Sequence, residues 1–380
     1  MKDYLFVFGR DPELSLLEVL SYFKARNIEN KVKRYDNYGM IVSLNNLDFN
    51  KIISDLGGTV KIGEVIYHGN KDEFEYELNK INIYTGKSNK IKYSIGICGK
   101  TIFDRGLIEE YFKRRFKEEG LKLIYKKSLS LIPSKIIRSE LIEYGLDILL
   151  YDNYIAKTIA IYNPLNYKER DLGKPEKDFL KSISIRLAKI LINISQVKEN
   201  QTLLDPFCGT GIILQEALII GINVIGIDKE EKSVSMTKKN LEWLIKKYNI
   251  KNSYKLTKGD AQILSKFVNK VDVIVTEPYL GPYIRKLPDN KEANKILEEL
   301  YLLYSRFLIE SKKILKNEGK IVIIFPRFRT ISNKVFGLDK ERLINKNGFK
   351  VSEDFSVELP IVYSYKESRI LREIYVIEKA

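Results

Sequence analysis

A chain of 380 residues, 44% hydrophobic and 30% charged with ten prolines, is long for one core, suits two or three domains and leaves little room for extended disorder. Its net charge of +15 favours a polyanionic partner, nucleic acid or anionic membrane, although a composition crowded with Lys, Ile and Asn also fits an AT-rich genome with Lys as an ordinary surface residue. Two separated cysteines, Cys98 and Cys208, and the lone His68 exclude a zinc or iron–sulfur framework, so no metal and a reduced, cytoplasmic setting are expected.

The N-terminal MKDYLFVFGRDPE carries an apolar run too short for a signal peptide, ended by Arg10 and Asp11. No run approaches the roughly 20 apolar residues of a bilayer-spanning helix, so membrane is not expected as a partner. YLFVFG predicts a strand. Leu14, Leu17, Leu20 and Phe23 recur at helical spacing behind Asp11 as N-cap. YGMIVSL predicts a strand, FNKIISDLGG a helix and VKIGEVIY a strand. This β-α-β-α-β order suits a small ferredoxin-like α+β unit over residues 1–65.

A second unit spans 66–162. KYSIGICG, LKLIYKK and YIAKTIAIYN predict strands; LIEEYFKRRFKEEG and SKIIRSELIEYG predict helices. Basic residues concentrate here, among them Arg114, Arg115, Lys126, Lys127 and Arg138. One charged helix face is usually just solvated; the clustering over consecutive elements is what points to phosphate contact. NPLNYKERDLGKPEKDF, residues 163–179, lacks periodicity and reads as a linker.

From residue 180 a helix, ISIRLAKILINISQ, leads into alternating strands and helices, the pattern of a mostly parallel, doubly wound sheet. The tail FKVSEDFSVELP and RILREIYVIEK predicts two strands forming an antiparallel hairpin on one edge. Ligands of such sheets bind at the carboxyl ends of the strands, and three features sit there. DPFCGTG, Asp205–Gly211, has glycines that admit a close ligand, followed by helix amides. An acid opens this turn, which a pyrophosphate would dislike. S-adenosylmethionine is a zwitterion, with an ammonium for the acid and a carboxylate for the amides. Asp228 can accept from two ribose hydroxyls or cap the next helix, and Asp260 can accept from an adenine amine. Each acid alone is unconvincing; three in order form a constellation for an adenosyl ligand, with Phe207, Gly209, Thr210, Gly211 and Ala261 completing the candidate cofactor residues.

The fourth strand, VDVIV, opens into Thr276-Glu277-Pro278-Tyr279. An exocyclic amine is a poor nucleophile because its lone pair is delocalised. A side-chain acceptor and a backbone carbonyl can hold its two N–H groups and turn the lone pair toward a methyl sulfonium. Pro278 stiffens the loop and Tyr279 can stack on a flipped base. The plain alternative is a structural turn with Glu277 in water.

Over most of its length the chain resembles the THUMP-domain tRNA guanosine N2-methyltransferases, which act on position 10. The resemblance rests on YLFVFGRDPELSLLEVLSYF, ERDLGKP, RLAKILIN, DPFCGTG, Asp228, Asp260 and SRILREIYVIEK. It implies a ferredoxin-like domain, a THUMP domain binding the tRNA acceptor end and a Rossmann-like methyltransferase domain. It implies tRNA as partner, with Arg285 also placed to meet a phosphate, and admits a helper subunit such as the eukaryotic relatives use. The family expects Asp-Pro-Pro-Tyr where this chain has Thr-Glu-Pro-Tyr. Anchored on Pro278-Tyr279, the acidic slot falls on Thr276. Anchored on the acid, Glu277 takes the Asp role and one proline is missing. The second register is preferred because a carboxylate accepts more strongly than a hydroxyl, Thr276 remaining a weak acceptor. Two other functions are compatible: a tRNA-binding homologue that has lost chemistry, and a DNA adenine N6-methyltransferase.

Overall fold

The computed structural model describes residues 1–84, 86, 88–126, 145–178, 183–355, 357–364 and 368–380. The chain forms two compact units, Met1–Leu16 with Asn27–Arg170, and Leu17–Arg26 with Asp171–Ala380.

The first unit is built on one sheet. In chain order the elements begin β1 (Lys2–Phe8), α1 (Pro12–Ala25), whose residues from Leu17 belong to the second unit, β2 (Asn30–Tyr35), β3 (Gly39–Leu44), α2 (Phe49–Asp55) and β4 (Thr59–His68). Strand β2 was not foreseen: NKVKRY is polar and almost wholly exposed, so it lacks the alternation that marks a half-buried strand. Its presence turns β-α-β-α-β into β-α-β-β-α-β, the ferredoxin-like order. The chain continues through α3 (Phe74–Asn79), β5 (Lys90–Thr101), α4 (Arg105–Glu118), β6 (Lys122–Tyr125), β7 (Gly145–Asp152) and β8 (Tyr154–Ile161). The strands run β2-β3-β1-β4-β8-β7-β5-β6 in a single eight-stranded sheet, so the boundary drawn at residues 65 and 66 falls inside β4. The predicted helix SKIIRSELIEYG lies outside the described residues.

A buried polar cluster ties the middle of this sheet. Lys61 Nζ of β4 lies 2.7 Å from Asp147 Oδ2 of β7, both side chains fully buried. Ser94 and Thr158 hydroxyls also donate to that carboxylate. Four polar groups from four strands thus satisfy each other, which is what makes their burial tolerable. The segment read as linker is partly helical, α5 (Pro164–Gly173), with Arg170 buried.

The second unit begins with α6 (Ile185–Ile194), capped by Ser184, whose side chain accepts from Leu187 N. Helix α6 is buried on nearly every side, as its apolar run requires. There follow β9 (Thr202–Asp205), α7 (Ile212–Ile219), β10 (Asn223–Asp228), α8 (Glu231–Tyr248), β11 (Tyr254–Lys258), a 3₁₀ turn (Ala261–Lys266), β12 (Val273–Thr276), α9 (Asn290–Ile314) and β13 (Lys320–Arg329). The remainder is β14 (Val335–Gly337), α10 (Lys340–Lys346), β15 (Phe349–Val351), β16 (Ile361–Tyr363) and β17 (Ile370–Lys379).

The sheet order is β11-β10-β9-β12-β13-β17-β15, with β14 on β13 and β16 on β17. The five strands from β11 to β13 are parallel and β17 is antiparallel to β13. The antiparallel pair predicted on one edge is present: β15 ends the sheet and pairs antiparallel with β17, and β17 also pairs along nine residues of β13. Its run LREIYVIE is buried over Ile374–Ile377, which suits an interior strand. Strand order reverses between β9 and β12, and the crevice beyond the carboxyl ends of those strands is where such sheets bind ligands. Helix α9 closes one face of the core with Leu300, Tyr304, Phe307 and Leu308 against Ile274, Ile323 and Phe325.

Candidate active site

Asp205 ends β9 and is 2% exposed. Its Oδ1 accepts from Thr276 Oγ1 at 2.8 Å and from the Phe207 amide at 3.2 Å. Oδ2 has no hydrogen-bond partner among the described residues. Burial pushes the carboxyl up to about 7; Asp228 and Glu277 add repulsion, while the Thr276 hydroxyl and Phe207 amide oppose it. A buried carboxylate short of one partner, with only negative neighbours acting on it, is suited to an ammonium.

The turn that follows is bent by two left-handed glycines, Gly209 at φ +52° and Gly211 at φ +80°. A Cβ on Gly211 would lie 2.7 Å from Thr237 Cγ2, so the position demands glycine on both counts. Helix α8 holds the turn from behind. Thr237 Oγ1 donates to the Gly209 carbonyl at 2.7 Å, and Asn240 Nδ2 donates to the Thr210 carbonyl at 2.9 Å. Asn240 also exchanges hydrogen bonds with both backbone groups of Glu176. Thr237 and Asn240 were missed in the sequence; their only local signal is polar residues at i and i+3 on a helix, one turn apart on the same face.

Asp228 ends β10, half-buried. Its Oδ2 accepts from the Gly209 amide at 3.0 Å and Oδ1 from the Glu230 amide at 2.9 Å. Each oxygen retains a lone pair for a sugar hydroxyl. Asp260 caps the 3₁₀ turn through Gln262 N at 2.8 Å, with Ala261 buried behind it. Phe207 is half-buried and packs edge-on against Phe307 at 5.7 Å. These groups fit S-adenosylmethionine: a cation-deficient acid, an open glycine turn leading to α7, and two further acids on the next two strand ends.

The acceptor side begins at β12. Thr276 is fully buried and spends its hydroxyl on Asp205. Its burial, rather than its hydrogen bond, sets it apart from Glu277 and Tyr279 among the catalytic candidates: the hydroxyl faces a donor-side acid and not solvent. Glu277 Oε1 accepts from Arg372 Nε of β17 at 2.5 Å, and its side chain is 12% exposed. Pro278 is buried, whereas Tyr279 is 52% exposed. The Tyr279 carbonyl accepts from Tyr304 Oη of α9 at 2.7 Å. Gly281 has φ +106°, and a Cβ there would lie 3.1 Å from both Ile296 Cγ2 and Phe328 Cζ. Arg369 Nη1 donates to the Ile284 carbonyl at 2.7 Å. The loop is thus pinned by Arg372, Tyr304 and Arg369, none of which the sequence reading singled out. Their contacts span 95, 25 and 85 residues, beyond any local pattern.

Asp205 and Glu277 line one cleft with Phe207, Gly209, Thr210 and Ile212, enclosing about 310 Å³ of empty space that includes its open mouth. Donor-side and acceptor-side acids therefore face a shared volume. Among the described residues no cluster of three or more His, Cys, Asp or Glu could hold a metal.

The RNA-contact candidates divide. Arg285 is exposed on the loop after β12 and has no partner among the described residues. Arg114 is exposed and paired with Glu75 at 2.5 Å. Lys126 is half-buried beyond β6. Arg115 is corrected: it is 8% exposed, and its guanidinium donates to Leu78 and Ile81 carbonyls, each at 2.6 Å, and to Glu119. A fork so occupied closes the end of α3 and is not offered to phosphate. Lys127 and Arg138 lie outside the described residues.

Residues 178–350 match the family model of the RMKL-like methyltransferase domain. This chain is a Rossmann-like methyltransferase. S-adenosylmethionine is its cofactor. A model described as DNA methylase also matches residues 58–239 of the methyltransferase, ending before Thr276. It is 26% identical to a tRNA (guanine(10)-N2)-dimethyltransferase of Methanothermobacter thermautotrophicus, over 92% of this chain and 93% of that one. To a protein of the same description from Methanocaldococcus jannaschii it is 32% identical over 51% of this chain, spanning only 54% of that relative. The crystal structure of TrmN from Thermus thermophilus superposes with a TM-score of 0.56 at 14% identity, covering 100% of each chain. That last likeness is one of fold. Among the described residues no helix is long and apolar enough to cross a membrane.

Proposed function

We propose that the methyltransferase modifies the exocyclic N2 amine of a guanosine in tRNA, at position 10, the site its archaeal relatives are named for. The observation that carries this reading is the shared cleft: Asp205 and Glu277 line it together, and Thr276 bonds the first while preceding the second. When bound, S-adenosylmethionine supplies an electrophilic methyl on its sulfonium. Asp205 would hold the ammonium, the amides at the start of α7 would take the carboxylate, and Asp228 and Asp260 would take the ribose and adenine. Glu277 Oε2 and the Pro278 carbonyl accept the two N–H groups of the target amine, turning its lone pair into the cleft. For the methylated amine to end neutral it must lose one proton, which Glu277 Oε2, as the acceptor of one N–H, would be placed to take up. Tyr279, exposed beside them, stacks on the base.

The first unit, with its ferredoxin-like and THUMP-type halves, would then dock the tRNA, with Arg114, Lys126 and Arg285 as phosphate contacts in a cytoplasmic setting. The test is nucleoside mass spectrometry of tRNA from cells with and without the gene, joined to transfer of labelled methyl to tRNA in vitro. Loss of N2-methylated guanosine at position 10 is expected; unchanged nucleosides and no transfer would sink the reading. The DNA-methylase match favours a second reading, methylation of adenine N6 in DNA. Competition between tRNA and duplex DNA for methyl transfer separates the two.

A further inference from the structure

Glu277 is one methylene longer than an aspartate would be, and the structure shows what constrains its side chain. A free glutamate has three side-chain torsions and aims its carboxylate poorly. Here Arg372 Nε fixes Oε1 at 2.5 Å, and the side chain is 12% exposed. Oε2 has no partner among the described residues. Arg372 is itself held by the sheet, since β17 runs antiparallel to β13 with Arg372 opposite Pro326. The other two pins of this loop, Tyr304 and Arg369, grip backbone carbonyls. Arg372 alone among them grips the side chain proposed to meet the amine.

We propose that Arg372 is a positioning residue for methyl transfer: it locks one oxygen of Glu277 so that the other is presented to the target amine. The proposal rests on the reading of Glu277 as the amine acceptor. A guanidinium suits the task because its planar fork fixes direction as well as charge, which a lysine ammonium does not. The rival role is substrate binding, since Arg372 Nη1 and Nη2 have no partner among the described residues and its side chain is 32% exposed.

The test measures methyl transfer to tRNA by wild type, R372K, R372Q, E277Q and the R372Q/E277Q double variant, with cofactor affinity by calorimetry. A wild type that transfers no methyl to tRNA defeats the underlying function and not this inference. With an active wild type, R372Q is expected to lower kcat about 10- to 100-fold, the scale set by an ångström of misplacement. KM for tRNA and cofactor affinity should stay within about threefold, below the scale of a lost charged contact. R372K should recover only part of the rate. The double variant should be no slower than E277Q, because Arg372 acts through Glu277. Additive losses, or a raised KM with kcat kept, would overturn the proposal in favour of a phosphate contact. Should R372Q not fold, the Arg372 Nε–H resonance provides a second readout: it should move markedly between wild type and E277Q, and an unmoved signal also overturns the proposal.

Discussion

The two sides of the cleft are built differently. The donor side is local: Asp205, Gly209, Gly211 and Asp228 lie within one strand–turn–helix–strand passage, and α8 follows directly to brace it. The acceptor side is assembled from afar, its loop gripped by Arg372, Arg369 and Tyr304. The two sides meet where β9 pairs with β12 and where the Thr276 hydroxyl donates to Asp205. Local construction makes a site readable and stiff. Remote construction lets its aim change through residues far away in sequence.

Removing the acceptor should break this comparison most sharply. Glu277→Ala is expected to lower methyl transfer about 100- to 1000-fold, the range for loss of one preorganised polar group. Cofactor affinity should change less than about threefold, far below the effect of a lost charged contact. Calorimetry beside a transfer assay checks both; full activity would remove Glu277 from the acceptor role.

Asp205→Asn attacks the other side. Loss of a charged partner for the ammonium should weaken cofactor binding about 10- to 100-fold. The pH dependence carries a sign as well. The ammonium needs an ionised Asp205, whose carboxyl is pushed up to about 7. Affinity should therefore fall by up to about tenfold per unit below that pH and level off above it, and Asp205→Asn should flatten the profile. Stability in the absence of cofactor runs the opposite way. The unfolded carboxyl loses its proton near pH 4 (roughly its ordinary value). Stabilisation by the retained proton is full below that and is lost as pH rises through about 7. Melting curves of wild type and Asp205→Asn across pH 4–8 should converge at the acid end. A flat binding profile for wild type would refute the ammonium assignment.

A glycine replacement tests local stiffness. Gly211 and Gly120 share left-handed φ values, +80° and +73°. A Cβ at Gly211 would crowd Thr237, whereas nothing lies within 4 Å at Gly120. Gly120→Ala should cost about 1 kcal/mol of backbone strain, and Gly211→Ala more, up to about 3 kcal/mol, by thermal melting. Equal losses would show that Thr237 yields freely and that α8 does not brace the turn.

What was legible follows the same divide. The parallel strands, the glycine turn and the three acids are marked by apolar runs and short-range punctuation, and the structure brings them to adjacent strand ends. Strand β2 was hidden because exposure leaves it no apolar face. The antiparallel pair at the edge was legible from two strand runs close in sequence, whereas the pairing of β17 with β13 was not, because an apolar run does not name its second neighbour. Arg115 misled for a related reason: a basic residue on a basic helix looks solvated until the carbonyls of Leu78 and Ile81 are found beneath it. Thr276 reads as an acceptor in the sequence because nothing local shows that its side chain is wholly buried with its proton directed at Asp205.

The finest test of remote assembly is Tyr304→Phe. Tyr304 is wholly buried on α9, and its ring packs against Phe325 at a centroid distance of 5.3 Å. The substitution keeps that packing and removes only the hydroxyl donated to the Tyr279 carbonyl. Loss of one such bond is worth about 0.5–1.5 kcal/mol, and it falls on the loop that presents Pro278 and Tyr279 to the base. A fold change of about two to ten in kcat is therefore expected, that energy expressed as a rate. Cofactor affinity should be unchanged, because the hydroxyl removed bonds the acceptor loop and, among the described residues, none of the donor-side acids. A weakened affinity with normal kcat would mean that the acceptor loop reports back to Asp205 through Thr276, and that the two sides are one mechanical unit.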